Sequence, residues 1–247
     1  MGIERDDRDG IAVVRLAHGP VNALDRELLT DIAVTFRELD TSEHRAIVLT
    51  GTGRAFSAGV DLRRVVDGGE AYVREYLPLL SDAFEAVFDV GKPVVAAVNG
   101  HAIAGGAIFV CAADHRLMAD GRIGVPELLV GVPFPTAALE ILRYAVGDPR
   151  ALVLGGATVE APDAIGLHLV DAAVTAEELM PRALAEADRL ARMTPPSTFR
   201  LTKRQLHADA RAHMARKRNA VDGDVVQAWV ARVHDGTIAT YLESLRR

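Results

Sequence analysis

The chain has one cysteine, Cys111, in 247 residues. That count leaves no intrachain disulfide to close and no cysteine cluster to hold a metal. Cys111 lies in an apolar run and is expected to be a small core residue. No apolar run approaches the roughly 18 to 20 residues that a membrane span needs. There is no basic excess either: the formal net charge is −6, whereas a nucleic-acid-binding domain normally presents a net basic surface. The first ten residues are acidic and polar and do not form a leader, so the expectation is a cytoplasmic protein that binds neither nucleic acid nor membrane.

A hydrophobic fraction of 49% with 25% charged residues is ordinary for a globular protein of this size, large enough for one α/β domain with an appendage. Ile11 to Leu16, Ala46 to Thr50, Pro93 to Val98 and His115 to Met118 are short β-branched or apolar runs that read as strands. Between them, Asp25 to Leu39 and Ala71 to Val90 carry apolar residues at helical spacing. Strands alternating with such helices give an α/β architecture with mostly parallel pairing. Beyond about residue 175 only helical pattern remains, broken by Thr194-Pro195-Pro196. The division expected is therefore a core, 1–195, and a helical region, 196–247. The latter carries a basic run from Arg200 to Arg218, either a solvated helix face or a contact for an anionic cofactor tail.

Pro93 to Gly100 reads as a buried strand entering a turn, after which Ala104-Gly105-Gly106 opens an apolar helix. A glycine-rich first turn leaves N–H groups accessible and lets a substrate approach the backbone, which suits a developing oxyanion. The same glycines also suit close helix–strand packing. Other motifs fail on spacing. Gly100 to Gly105 has a P-loop interval, but Gly106-Ala107 stands where Lys-Ser/Thr is required. Gly51-x-Gly53 lacks the third glycine of a dinucleotide fingerprint. Ser57 only half matches a nucleophile elbow, which leaves a serine hydrolase using Ser57 and His101 as a weak alternative.

Taken together, Arg54-Ala55-Phe56-Ser57-Ala58-Gly59-Val60-Asp61-Leu62, Asn99 to Ile108 and Pro20-Val21-Asn22-Ala23-Leu24 resemble the crotonase superfamily, the enoyl-CoA hydratase/isomerase enzymes, over about residues 10 to 170. The resemblance implies a spiral of repeated β-β-α units with a C-terminal helical trimerisation region. It implies a homotrimer or dimer of trimers, acting on an acyl-CoA thioester in fatty-acid metabolism. The backbone N–H groups of Val60 and Gly105 would form the oxyanion hole. Arg54 falls near the expected CoA nucleotide, Ala58 beside the adenine pocket, and Asp61 and Leu62 complete that substrate-binding motif.

Glu127 is the candidate base, with a surface glutamate at a turn as the lesser alternative. Hydratases of the superfamily carry a second glutamate where this chain has Ile108. Three residues after Gly105, Ile108 is expected on the same helical face, toward substrate. Downstream, Phe134 and Pro135 replace a glycine-rich turn that helps seat water, and proline has no N–H to offer. The pattern resembles the 3,2-trans-enoyl-CoA isomerase branch, with Glu127 moving a proton from C2 to C4 in an apolar wall that includes Ile108 and Phe134. Coenzyme A would enter as part of the substrate, with no other cofactor and no metal. The alternatives are a hydratase recruiting Asp61, Asp67, Glu70 or Glu140, a decarboxylase or thioesterase on the same scaffold, and a non-catalytic acyl-CoA-binding protein.

Overall fold

A computed structural model describes residues 2–245; Met1 of the expected core and Arg246 and Arg247 of the expected tail lie outside it. In chain order the elements are β1 (Ile3–Arg8), β2 (Ile11–Leu16), α1 (Arg26–Thr41), β3 (Ala46–Gly51), β4 (Ala55–Ser57), α2 (Leu62–Asp89), β5 (Val94–Val98), β6 (His101–Ile103) and α3 (Gly105–Cys111). There follow β7 (His115–Met118), β8 (Arg122–Gly124), α4 (Glu127–Val130), α5 (Thr136–Val146), α6 (Arg150–Gly155), β9 (Thr158–Glu160), α7 (Ala161–Gly166) and β10 (Ala172–Ala173). Four helices complete the chain: α8 (Ala176–Met193), α9 (Pro196–Leu206), α10 (Ala208–His234) and α11 (Thr237–Ser244).

The strands form two sheets, one in the order β1-β2-β3-β5-β7-β10 and one in the order β4-β6-β8-β9. From β3 onward each successive pair places its first strand in the larger sheet and its second in the smaller, and a helix follows: β3-β4-α2, β5-β6-α3, β7-β8-α4. This is the spiral of β-β-α units. Pairing is parallel except at β1–β2 and β8–β9, because a strand that leaves the sheet and returns after a crossover enters it in the same direction.

The period of two along the strands divides the core. On β5, Val94, Ala96 and Val98 face the main core with α1, α2 and α3, while Val95 and Ala97 face Leu179, Ala183 and Ala187 of α8. Both faces of the central strands are therefore covered, which explains why those strands read as unbroken apolar runs. α1 begins at its Asp25 cap, whose carboxylate accepts from Leu28 N–H at 2.8 Å. α2 begins at Leu62, well before the helical pattern at Ala71, because Asp61 caps it and Gly69, at φ 62°, interrupts it with a kink.

The C-terminal helices pack on the same core. Val225, Trp229, Val230 and Ile238 are buried against α2 and α5 within the single chain. Their own core covers them, so their apolar character by itself calls for no partner subunit. Most of the basic run is also committed. Arg200 pairs with Asp40 at 3.0 Å, Lys203 with Asp114 at 2.7 Å, Arg211 with Asp89 at 2.6 Å and Lys217 with Glu140 at 2.7 Å. Among the described residues no helix is long and apolar enough to cross a membrane.

Candidate active site

Two turns meet at Gly59. A Cβ there would lie 2.5 Å from the carbonyl oxygen of Ile103 and 3.3 Å from Gly105 N, and the residue has φ +78°. Only glycine allows so close a backbone approach at that conformation. Gly106 does the same one residue on, since its Cβ would lie 2.5 Å from the Ser57 carbonyl oxygen. The segment after β4 is thus pressed against the start of α3.

Hydrogen bonding orients the donors. Leu24 N–H donates to the Gly59 carbonyl at 2.8 Å and Asp61 N–H donates to the Leu24 carbonyl at 3.0 Å. This bridge uses the residues on either side of Val60, so alternation turns Val60 N–H to the other side. It has no partner among the described residues. Gly105 N–H is likewise free, as the first turn of a helix requires. Ala104 makes this turn at φ 54°, ψ −122°, an unusual conformation for a residue with a Cβ. It is held by Ala104 N–H to the Gly124 carbonyl at 2.8 Å and by its own carbonyl, which accepts from Ala107 and Ile108 N–H at 2.9 and 3.2 Å.

A cavity of about 620 Å³ lies over these turns. Val60, Ala104 and Glu127 line it, together with Pro20, Val21, Ala58, Val130, Val132, Trp229 and Tyr241. Glu127 opens α4. It is buried, and its Oε2 has no hydrogen-bond partner. Burial pushes its carboxyl from 4.5 up to about 8, with its own backbone N–H opposing weakly. A buried carboxyl without a counter-ion in an apolar wall is basic once ionised and is protonated over much of the neutral range.

The other carboxylates named from sequence are occupied or elsewhere. Asp61 lines the cavity, but its Oδ1 accepts from Arg63 and Arg64 N–H at 3.1 and 3.2 Å as the cap of α2. Asp67 is exposed. Glu70 is exposed and paired with Arg74 at 2.7 Å. Glu140 is buried outside the cavity: desolvation alone would raise its carboxyl, but Lys217, His213 and Arg143 hold it below the ordinary value. Ser57 is buried, donating to the Asn22 carbonyl at 2.8 Å and accepting from Gly59 N–H at 3.1 Å. His101 is exposed and its Nδ1 accepts from Arg122 N–H at 3.2 Å. Each holds a turn, so the nucleophile pair is corrected to two structural residues. Burial likewise pushes the Cys111 thiol up to about 12.

Ala58, Val60, Asp61, Leu62 and Glu127 come together in the cavity, with Gly105 directly behind Ala104. Four expected substrate contacts stand outside its lining. Arg54 is exposed on a turn, where its carbonyl accepts from His101 N–H at 3.2 Å. Phe134 is buried in the main core, and Pro135 lines a separate groove between α2 and α10. Ile108 is fully buried in the core. The reason lies in α3: a Cβ on Gly105 would lie 2.8 Å from Leu24 Cδ1 and 3.3 Å from Phe84 Cζ. That side of the helix looks into the core, while the N–H of Gly105 points along the axis.

Sequence reasoning missed Ile103, Ala104, Val130, Val132, Trp229, Tyr241, Leu242 and Leu245. The apolar pattern of the tail was visible in Trp229 and its neighbours, but nothing in it said which surface they would cover. The family model for enoyl-CoA hydratase/isomerase matches residues 6–246. The chain belongs to that family. A putative enoyl-CoA hydratase of Thermus thermophilus is 38% identical over 195 residues, 76% of each chain. The mitochondrial enoyl-CoA delta isomerase 1 of Rattus norvegicus is 27% identical over 255 residues, covering 99% of this chain and 87% of that protein. Among solved structures, human mitochondrial delta3-delta2-enoyl-CoA isomerase superposes with a TM-score of 0.89 at 26% identity, covering 100% of this chain and 98% of that one. Enzymes named for hydration and for isomerisation both resemble this member of the family.

Proposed function

We propose that the protein isomerises 3-enoyl-CoA to trans-2-enoyl-CoA. The observation that carries this reading is the isolation of Glu127: buried, unpartnered at Oε2, and, among the described residues, the one carboxylate of the cavity wall not already capping a helix. A single carboxylate can take a proton and give it back. Adding water across a double bond asks for a second group to orient or protonate, and Asp61 is engaged elsewhere.

In this mechanism the thioester oxygen sits between Val60 N–H and Gly105 N–H. The Glu127 carboxylate removes a C2 proton, and the electrons of that C–H bond pass into a dienolate whose charge rests on the thioester oxygen. The proton now on Glu127 returns to C4, and the double bond moves from C3–C4 to C2–C3. Apolar surroundings raise the basicity of the carboxylate and keep water from the dienolate. Superposition of the whole chain, tail included, on a mitochondrial isomerase supports the reading.

Glu127→Gln tests it. The amide keeps the shape and cannot act as the base, so turnover of 3-enoyl-CoA should fall about 100-fold or more while acyl-CoA binding changes only a few-fold. Hydration is the competing reading, favoured by the name of the Thermus relative. Rapid hydration of 2-enoyl-CoA by the unaltered protein, with no isomerisation of 3-enoyl-CoA, would replace the proposal.

A further inference from the structure

The wall of the Glu127 cavity has a wet part and a dry part. Leu245 is 64% exposed and Val21 42%, whereas Val132 is 1% exposed and Trp229 2%. A thioester held at Val60 and Gly105 with its CoA toward solvent therefore directs its acyl chain to the dry end. Along it Val130 and Val132 have no polar side-chain atom and the Trp229 indole N–H is already used, while Tyr241, which also lines the cavity, carries a phenol hydroxyl.

Trp229 is fixed from two points. Its Nε1–H donates to the Pro133 carbonyl at 3.0 Å. Seven residues earlier, two turns away on the same side of α10, Asp222 accepts from Thr136 N–H at 2.9 Å and from Thr136 Oγ1 at 2.6 Å. Both bonds tie α10 to the segment that also supplies Val132. Swinging the indole aside means breaking its own bond and shifting a helix anchored two turns away, so the ring acts as a wall.

We propose that Trp229 is the specificity-determining stop of the acyl site, which therefore takes straight hydrocarbon tails of limited length. The limit on length follows from the closed ring. The inference rests on the acyl-CoA reading of the cavity but not on the reaction catalysed there.

The test is binding of saturated, unreactive acyl-CoA thioesters from butanoyl- to hexadecanoyl-CoA, measured by calorimetry. Because Trp229 is the chain's single tryptophan, its emission also reports arrival of the tail. Affinity should tighten about fourfold per added methylene until the tail meets the ring, where the emission shifts and the gain stops. Trp229→Phe should move that break to longer chains and Val132→Phe to shorter ones, so the proposal does not depend on one variant folding. A gain that continues through the whole series, or a break that stays fixed in both variants, would overturn the proposal. Failure of every acyl-CoA to bind would instead remove the acyl-CoA reading itself.

Discussion

Turnover should carry the ionisation of Glu127 in its pH dependence. Its carboxyl is raised from 4.5 to about 8, which amounts to about 5 kcal/mol against the charged form at about 1.36 kcal/mol per pH unit. The cause is desolvation, with Oε2 buried and unpartnered. As a base, Glu127 acts only when ionised. With 3-enoyl-CoA well below KM, the initial rate should rise about tenfold per pH unit and level off above about pH 8, so that about a tenth of the enzyme is active at pH 7. The assay follows the growth of conjugated enoyl-thioester absorbance from pH 5.5 to 9.5. A limb centred near 4.5, or a flat profile, would refute the reasoning, because it would place the working carboxylate in water or beside a cation.

Folding responds to the same group with the opposite sign. A carboxyl whose folded value lies above its unfolded value contributes stability that is complete below about pH 4.5 and lost as pH rises through about 8. Glu127→Gln has no such charge to bury. Urea denaturation should therefore show the variant gaining on the wild type between pH 4 and pH 9, by up to about 5 kcal/mol and less where water enters the cavity to meet the charge. An equal pH dependence for the two proteins would contradict the burial argument without reference to any reaction.

Two substitutions probe the turns. Gly59→Ala puts a Cβ 2.5 Å from the Ile103 carbonyl oxygen at φ +78°; it should separate the Val60 and Gly105 donors and lower kcat about 100-fold, and an unchanged kcat would show that the two N–H groups do not act together. Ile108→Glu places a carboxyl in the core, so it should cost at least about 3 kcal/mol in urea denaturation without conferring hydration of 2-enoyl-CoA; a stable variant that hydrates would return position 108 to the cavity wall.

The larger sheet was legible because its central strands are buried on both faces, and runs such as Val94 to Val98 announce themselves by composition. The smaller sheet was not. Ala55–Ser57, His101–Ile103 and Arg122–Gly124 are three residues each, too short for a period to register. β1, Ile-Glu-Arg-Asp-Asp-Arg, is almost wholly polar and is made a strand by its register against β2 at the sheet edge. Pairing decided it, and pairing is not local. The helices fared better where a cap was present: Thr175 and Glu178 form a capping box at the start of α8.

At the site, the backbone was easier to read than the side chains. Gly59 and Gly106 stand where any Cβ would collide with the backbone of another turn, so the sequence could offer no other residue there. Ile108 was harder because helical spacing fixes which side chains share a face but says nothing of what that face meets. The N–H groups of a first turn point along the helix axis and side chains point away from it. α3 can therefore present Gly105 N–H to the cavity while its flank lies against Leu24 and Phe84. The tail posed the converse problem: its apolar pattern showed that Trp229 and Val230 had to be covered, but not by what. Trp229 to Pro133 and Asp222 to Thr136 decide for the core. Those polar contacts join residues about 90 positions apart, a separation over which no local pattern extends.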